Sequence, residues 1–282
     1  MFGSYGAWSY LIGDSQGIFY PSWTRALLIS IILLPILLYK KQIVRIERKD
    51  LKWITVFFLA TSLTQAPLFY AFNHMDIGSA TLLFFVSMLL TMYAVGFAFL
   101  GEKLTVVKAI SFVLACAGLY MTFSFSVASF SIFAALMAIL NGVASGSEIS
   151  FSKKLTGSYS TLYLTWLSWI VIVITNGLFS LAIGETQALP AFNLFWLYQF
   201  GYAIAGILGF WLVIEGFKYV EASIGGLLGL LEIVFSIGLG ILIFRQPLTQ
   251  ITIIGAAIIL CAAALPHVVD LIKTKSVQNY ES

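Results

Sequence analysis

Residues 22–73 read SWTRALLISIILLPILLYKKQIVRIERKDLKWITVFFLATSLTQAPLFYAFN, two apolar stretches joined by a loop that carries six Lys and Arg. Each stretch approaches the ~20 residues needed to cross a ~30 Å hydrocarbon core as a helix. In lipid a spanning segment must satisfy its own backbone N–H and C=O groups, and a helix does so within one segment. The quoted stretch therefore predicts two membrane helices running in opposite directions, with a basic turn between them.

The same pattern extends both ways along the chain. Ten apolar stretches run at 1–13, 22–39, 54–73, 79–100, 104–123, 129–150, 160–183, 192–214, 222–244 and 249–266. The first is too short to cross by itself. The 282 residues are 60% hydrophobic and 10% charged, whereas a soluble domain carries about a quarter charged residues. The sequence thus predicts an all-α polytopic membrane protein of ten transmembrane helices, without length for an appended soluble enzyme domain and with the tail after Pro266 as a short solvated end.

Threading these stretches alternately through a bilayer places Lys40, Lys41, Arg45, Arg48, Lys49 and Lys52 on one side with Lys103, Lys108, Lys153, Lys154, Lys218, Lys273 and Lys275. Of the 15 Lys and Arg, only Arg25 and Arg245 lie toward the other side. Short loops rich in Lys and Arg stay cytoplasmic, so both termini are expected in the cytoplasm and residues 124–128 and 184–191 outside. The net charge of +3 then reflects topology. The expected partner is the lipid bilayer, of a bacterial-type inner membrane, and not nucleic acid.

Cys116 and Cys261 fall in mid-stretch, where a thiol acts as a small apolar group. No Cys/His cluster, Gly-rich phosphate loop or hydrolase motif is present, so no metal site, cofactor or enzymatic activity is expected.

An internal repeat is also legible. Phe72 and Phe217, Asp76 and Glu221, Thr91 and Ser236, and Cys116 and Cys261 each stand 145 residues apart. A common register over two stretches and the turn between them points to duplication of a five-span unit, residues 1–123 and 124–282. An odd number of spans per copy forces the copies into opposite orientations, the inverted arrangement of secondary transporters, with a site near midplane at their interface. Gly3-Ser4 aligns with Gly146-Ser147, so the first helix reads as truncated at its N-terminus.

With five plus five spans, the Arg of Trp23-Thr24-Arg25-Ala26 at the outer start of the second, the turn Phe99-Leu100-Gly101-Glu102-Lys103-Leu104-Thr105 and its echo Phe244-Arg245-Gln246-Pro247-Leu248-Thr249, the chain resembles the EamA family of the drug/metabolite transporter superfamily. Leu231-Glu232 stands where that family's second repeat often carries Leu-Glu-Pro, with Ile233 in place of the Pro. The resemblance implies a basket of ten helices that exports small metabolites, often amino acids or amphipathic drugs, from a central cavity.

Glu232, about ten residues into its stretch, lies ~15 Å deep at 1.5 Å per residue. It shares a helical face with Gly225, Gly229 and Ser236, making it the leading candidate for a substrate-amine or proton site. A mid-membrane acid is costly and faces a cavity or a partner. Asn141, Ser145, Glu148 and Ser152 form a similar stripe, although Glu148 is close enough to Lys153 to pair with it. Asn141 needs a hydrogen-bond partner on a neighbouring helix or on substrate. Gln65 stands just before Pro67, whose missing N–H frees a carbonyl one turn back. Ser87, the repeat mate of Glu232, extends this surface or back-bonds to its own helix. Trp8 and Tyr202 are candidates for stacking on a ligand, against the alternative of packing.

These residues predict a secondary exporter of small organic solutes, working by alternating access and coupled to protons, with a homodimer as a candidate assembly. A facilitative channel or uniporter is the alternative reading. A membrane-embedded lipid-modifying enzyme is more remote, because it would call for His, Asp or Arg clustered at one interface.

Overall fold

A computed structural model of the protein describes residues 8, 11–12, 17–123, 131–244 and 249–281. Among them there is no strand, and nine segments are long and apolar enough to cross a membrane. The helices are α1 (Tyr20–Tyr39), α2 (Leu51–Ser62), α3 (Ala66–His74), α4 (Ile77–Phe99), α5 (Val106–Phe123), α6 (Ile132–Leu155), α7 (Thr161–Ala182), α8 (Leu194–Phe217), α9 (Ala222–Gly229), α10 (Leu231–Phe244) and α11 (Gln250–Glu281). Most of the first apolar stretch lies outside the described residues.

Two expected spans are each two helices. The third breaks between α2 and α3, and the ninth between α9 and α10, at Leu230. The tail also differs from expectation: α11 runs through Pro266 to Glu281 instead of ending in a solvated stub. Proline removes one ladder bond but leaves those on either side, and the helix-compatible run Val268-Val269-Asp270-Leu271-Ile272 continues the turn.

Several starts are capped locally. Asp76 accepts from the Ser79 N–H, Ser131 from Ala134, Ser160 from Tyr163 and Asn193 from Trp196. Each satisfies one of the amide donors that a helix start leaves free. Helices α1 and α9 lack such a local cap and are capped from a distance. Glu185 accepts the N–H groups of Ile18, Phe19 and Tyr20 at 2.6, 3.0 and 2.7 Å. This needs a close approach at Gly17, whose φ is +88° and where a Cβ would lie 2.4 Å from the Glu185 carboxylate. Glu102 accepts from the Ala222 N–H and, at 3.1 Å, from the Ser223 N–H.

One core gathers α1, α2, α7 and α8 around Ile29, Phe57, Leu164 and Ile214. A second joins α4 and α5 to α8–α11 around Leu89, Met92, Leu119 and Ile259. Because lipid is as apolar as leucine, close packing decides helix association in a membrane, and small residues permit it. Helix α6 meets α4 at Gly142, where a Cβ would lie 2.3 Å from the Phe84 carbonyl oxygen. Helix α5 meets α11 where Gly118 and Gly255 face each other, each Cβ position within 2.9 Å of the other's carbonyl oxygen. Cys116 and Cys261 lie on this pair, one half-buried and the other exposed.

The basic loops share one end. The Tyr159 hydroxyl donates to Asp50 and accepts from the Glu47 N–H, both at 3.0 Å. Burial pushes its phenol above the ordinary tyrosine value. Lys153 reaches the Val220 carbonyl at 2.6 Å, Lys154 reaches that of Phe99 at 3.1 Å, and Lys108 pairs with Glu221. Loops 40–52, 100–105, 153–160 and 218–223 therefore meet, as the charge threading requires. The Glu185 cap forms at the opposite end.

Candidate functional site

The site is built around the break in the third span. Pro67 offers no N–H to the Leu63 carbonyl, and the chain tightens there into i+3 bonds, Leu63 to Ala60 at 3.0 Å and Thr64 to Thr61 at 3.2 Å. The orphaned Leu63 carbonyl accepts from Asn141 Nδ2 of α6 at 3.0 Å. Asn141 thus finds its partner on a neighbouring helix. Irregular backbone at membrane depth survives where protein buries it or water lines it, and here α6 supplies the missing donor.

One polar side chain leaves the third span on either side of this break. On the α2 side Thr61 donates to Glu148 Oε1 at 2.7 Å, and Ser168 of α7 donates to the same oxygen at 2.5 Å. Glu148 is 4% exposed, and the expected pairing with Lys153 is not formed. Lys153 turns to Val220 and, at 3.7 Å, to Glu102. The physical reason is proximity: two hydroxyls on the packed faces of α2 and α7 reach the carboxyl within the helix bundle. On the α3 side Gln65, which heads that helix, accepts from Arg25 Nη2 at 2.7 Å.

Arg25 is 2% exposed. Its guanidinium carbon stands 4.0 Å from the centre of the Tyr202 ring on α8, within the range of a cation–π contact. Its Nε has no hydrogen-bond partner among the described residues. Among the described residues no carboxylate forms an ion pair with it. One turn beyond the start of α1, the buried Gln199 amide of α8 donates to the Pro21 carbonyl and to Thr24 at 3.0 and 3.3 Å, which fixes α8 against α1 beside Arg25.

Other sequence candidates fall elsewhere. Trp8 is half-buried with its indole over Gly201, where a Cβ would lie 2.7 Å from the ring. Tyr202, the next residue, lies under the Arg25 guanidinium. Ser87 back-bonds to Leu83 and Phe84 at 2.7 and 3.0 Å and lies in the Gly142 seam. Glu232 is half-buried in the first turn of α10 and Ser236 is exposed. The expected face Gly225-Gly229-Glu232-Ser236 is not continuous. The chain makes i+3 bonds at Leu230 and Ile233, and the changed twist separates the two glycines from the two polar residues.

Arg25, Thr61 and Ser168 were not among the sequence candidates. Arg25 carried a signal, as one of two cations on the sparse side. The two hydroxyls carried none beyond mid-span position, because their contacts join helices far apart in sequence.

A bundle of long apolar helices with buried, bridged polar groups defines an integral membrane protein. The EamA-like transporter family matches residues 1–124 and 132–266, and the chain belongs to this family. A solved crystal structure of another protein superposes with a TM-score of 0.80 over 95% of this chain and 93% of that one, at 15% sequence identity. At that identity the likeness concerns the fold alone. No curated protein matches the chain in sequence.

Proposed function

We propose that the chain is a secondary transporter that exports small organic metabolites, amino acids or amphipathic drugs among them, by alternating access. Its two five-span halves, residues 1–123 and 124–282, are inverted relative to each other. The Lys/Arg-rich end and both termini face the cytoplasm of a bacterial-type inner membrane. The observation that carries this reading is the way a buried acid is held between halves: Glu148 takes one hydroxyl from Thr61 of the first and one from Ser168 of the second. Motion of one half against the other changes the partners of that carboxyl. A group whose partners alternate with conformation can load and release a proton with substrate.

Both donors fall on Oε1, which leaves Oε2 to carry the exchangeable proton. Glu148 therefore takes precedence over Glu232 as the coupling residue, and Glu232 is a second carboxyl on the α10 side. The test is counterflow in proteoliposomes screened over amino acids, nucleosides and organic cations. Saturable counterflow and, separately, uptake driven by an imposed pH gradient are expected. Flux without counterflow would identify a channel, and exchange indifferent to pH a uniporter.

A further inference from the structure

Resting on the transporter reading, we propose that Arg25, with Tyr202 and Gln65, forms the carboxylate-binding subsite for a small monoanionic solute. Arginine cannot shed its proton in a protein, so its charge must be met some other way. A buried, unpaired charge costs several kcal/mol, and ionisable residues within spans are paired or mark a ligand pathway. Among the described residues the guanidinium donates one hydrogen bond, to the neutral Gln65 amide, while Nε has none. The Tyr202 ring covers its face at 4.0 Å, which leaves recognition to its edge. The planar edge of a guanidinium accepts a planar carboxylate through two parallel hydrogen bonds.

The geometry also selects the charge of the ligand. One guanidinium balances one negative charge; phosphate at neutral pH usually carries more. The subsite joins three elements: α1 supplies Arg25, the head of α3 supplies Gln65, and α8 of the other half supplies Tyr202. A bound carboxylate would thus sense the relative position of the two halves. Gln65 lies four residues after Thr61, the Glu148 partner, so the anion subsite and the buried acid are about one helical turn apart along the third span.

The test measures binding, with no turnover required, on the full-length protein in detergent. Thermal unfolding is followed with benzoate, benzamide or inorganic phosphate at matched ionic strength. Benzoate at about ten times its dissociation constant should raise the Tm by roughly 3 °C, while benzamide and phosphate should not. In Arg25→Gln the benzoate affinity should fall about tenfold or more, and Arg25→Lys, which keeps the charge but loses the fork, should fall between. Equal shifts by benzoate and benzamide in the unaltered protein would overturn the proposal without any variant. A phosphate shift as large as that of benzoate would overturn the carboxylate class. Selective benzoate binding by a protein that shows no counterflow would refute the transport reading and leave the subsite standing. Counterflow without carboxylate selectivity would do the reverse.

Discussion

Glu148 and Glu232 separate two ways of placing an acid in a membrane. Glu148 is enclosed and held by two hydroxyls, whereas Glu232 stands half-buried beside a helix break. Replacing either by glutamine keeps shape and hydrogen bonding while removing the titratable proton. In Glu148→Gln, proton-driven uptake into proteoliposomes should fall at least tenfold and lose its pH dependence, while solute exchange at equal pH persists. Glu232→Gln should retain pH-driven uptake within about threefold. If the ranking were reversed, with Glu148→Gln fully coupled, the two hydroxyl bonds would be structural and coupling would belong to the α10 acid. The depth of Glu232 favours it from sequence alone; the partners of Glu148 do not show there, since Thr61 and Ser168 approach it only through tertiary packing.

At the scale of elements, the breaks and crossings set the tolerances. Gly142→Ala would put a Cβ 2.3 Å from the Phe84 carbonyl oxygen, a backbone atom that cannot swing aside. Helices α4 and α6 must move apart, and overpacking of this kind costs about 1–3 kcal/mol. Gly216, also helical, has nothing within 4 Å of its Cβ position. Gly216→Ala should be neutral or mildly stabilising through helix propensity, by up to about 1 kcal/mol. Unfolding titrations of the two variants side by side would test this, and equal behaviour would show that α4 and α6 do not cross at Gly142. Asn141→Leu strands the Leu63 carbonyl. Interhelical hydrogen bonds in membranes average about 0.6 kcal/mol and an unsatisfied buried group costs about 1–3, so a loss near 1 kcal/mol is expected in the same titration. Hydropathy made the spans legible because lipid imposes a length and a composition on each. The break before Pro67 was legible too, since its missing N–H is a local fact. The break at Leu230 was not: no proline marks it, and Ile233 occupies the position where one would have announced it.

For the whole molecule, the two remote caps tie opposite ends together across the halves. Glu185 of the second half holds the start of α1, and Glu102 of the first half holds the start of α9. In the proposed alternating-access cycle these ends part in turn, and the Glu102 cap is one of the contacts between the halves, with Lys154 on Phe99 and Lys108 on Glu221, that must release for the Lys/Arg-rich end to open. It comprises the backbone bonds to Ala222 and Ser223 and a 2.7 Å bond from the Ser223 hydroxyl, with Lys153 at 3.7 Å. Glu102→Cys paired with Ser223→Cys, in a protein whose Cys116 and Cys261 are replaced by alanine, places two thiols at this latch. Both latch positions are buried, so maleimide should reach them only when this end opens, whereas a cysteine at the exposed Lys154 should label from the cytoplasmic side throughout and one at Ala188 from outside. Labelling of Lys154→Cys from outside would invert the orientation argued from the charges. Bridging the latch pair with a bis-methanethiosulfonate, which spans the gap that the Glu102 side chain fills, should abolish transport, and reductant should restore it, because the cross-link holds one end shut without touching Arg25 or Glu148. Full turnover with the pair quantitatively cross-linked would mean that the Lys/Arg-rich end never opens at α9. Substrate would then have to pass by another route, and the two-half rocking mechanism would fail.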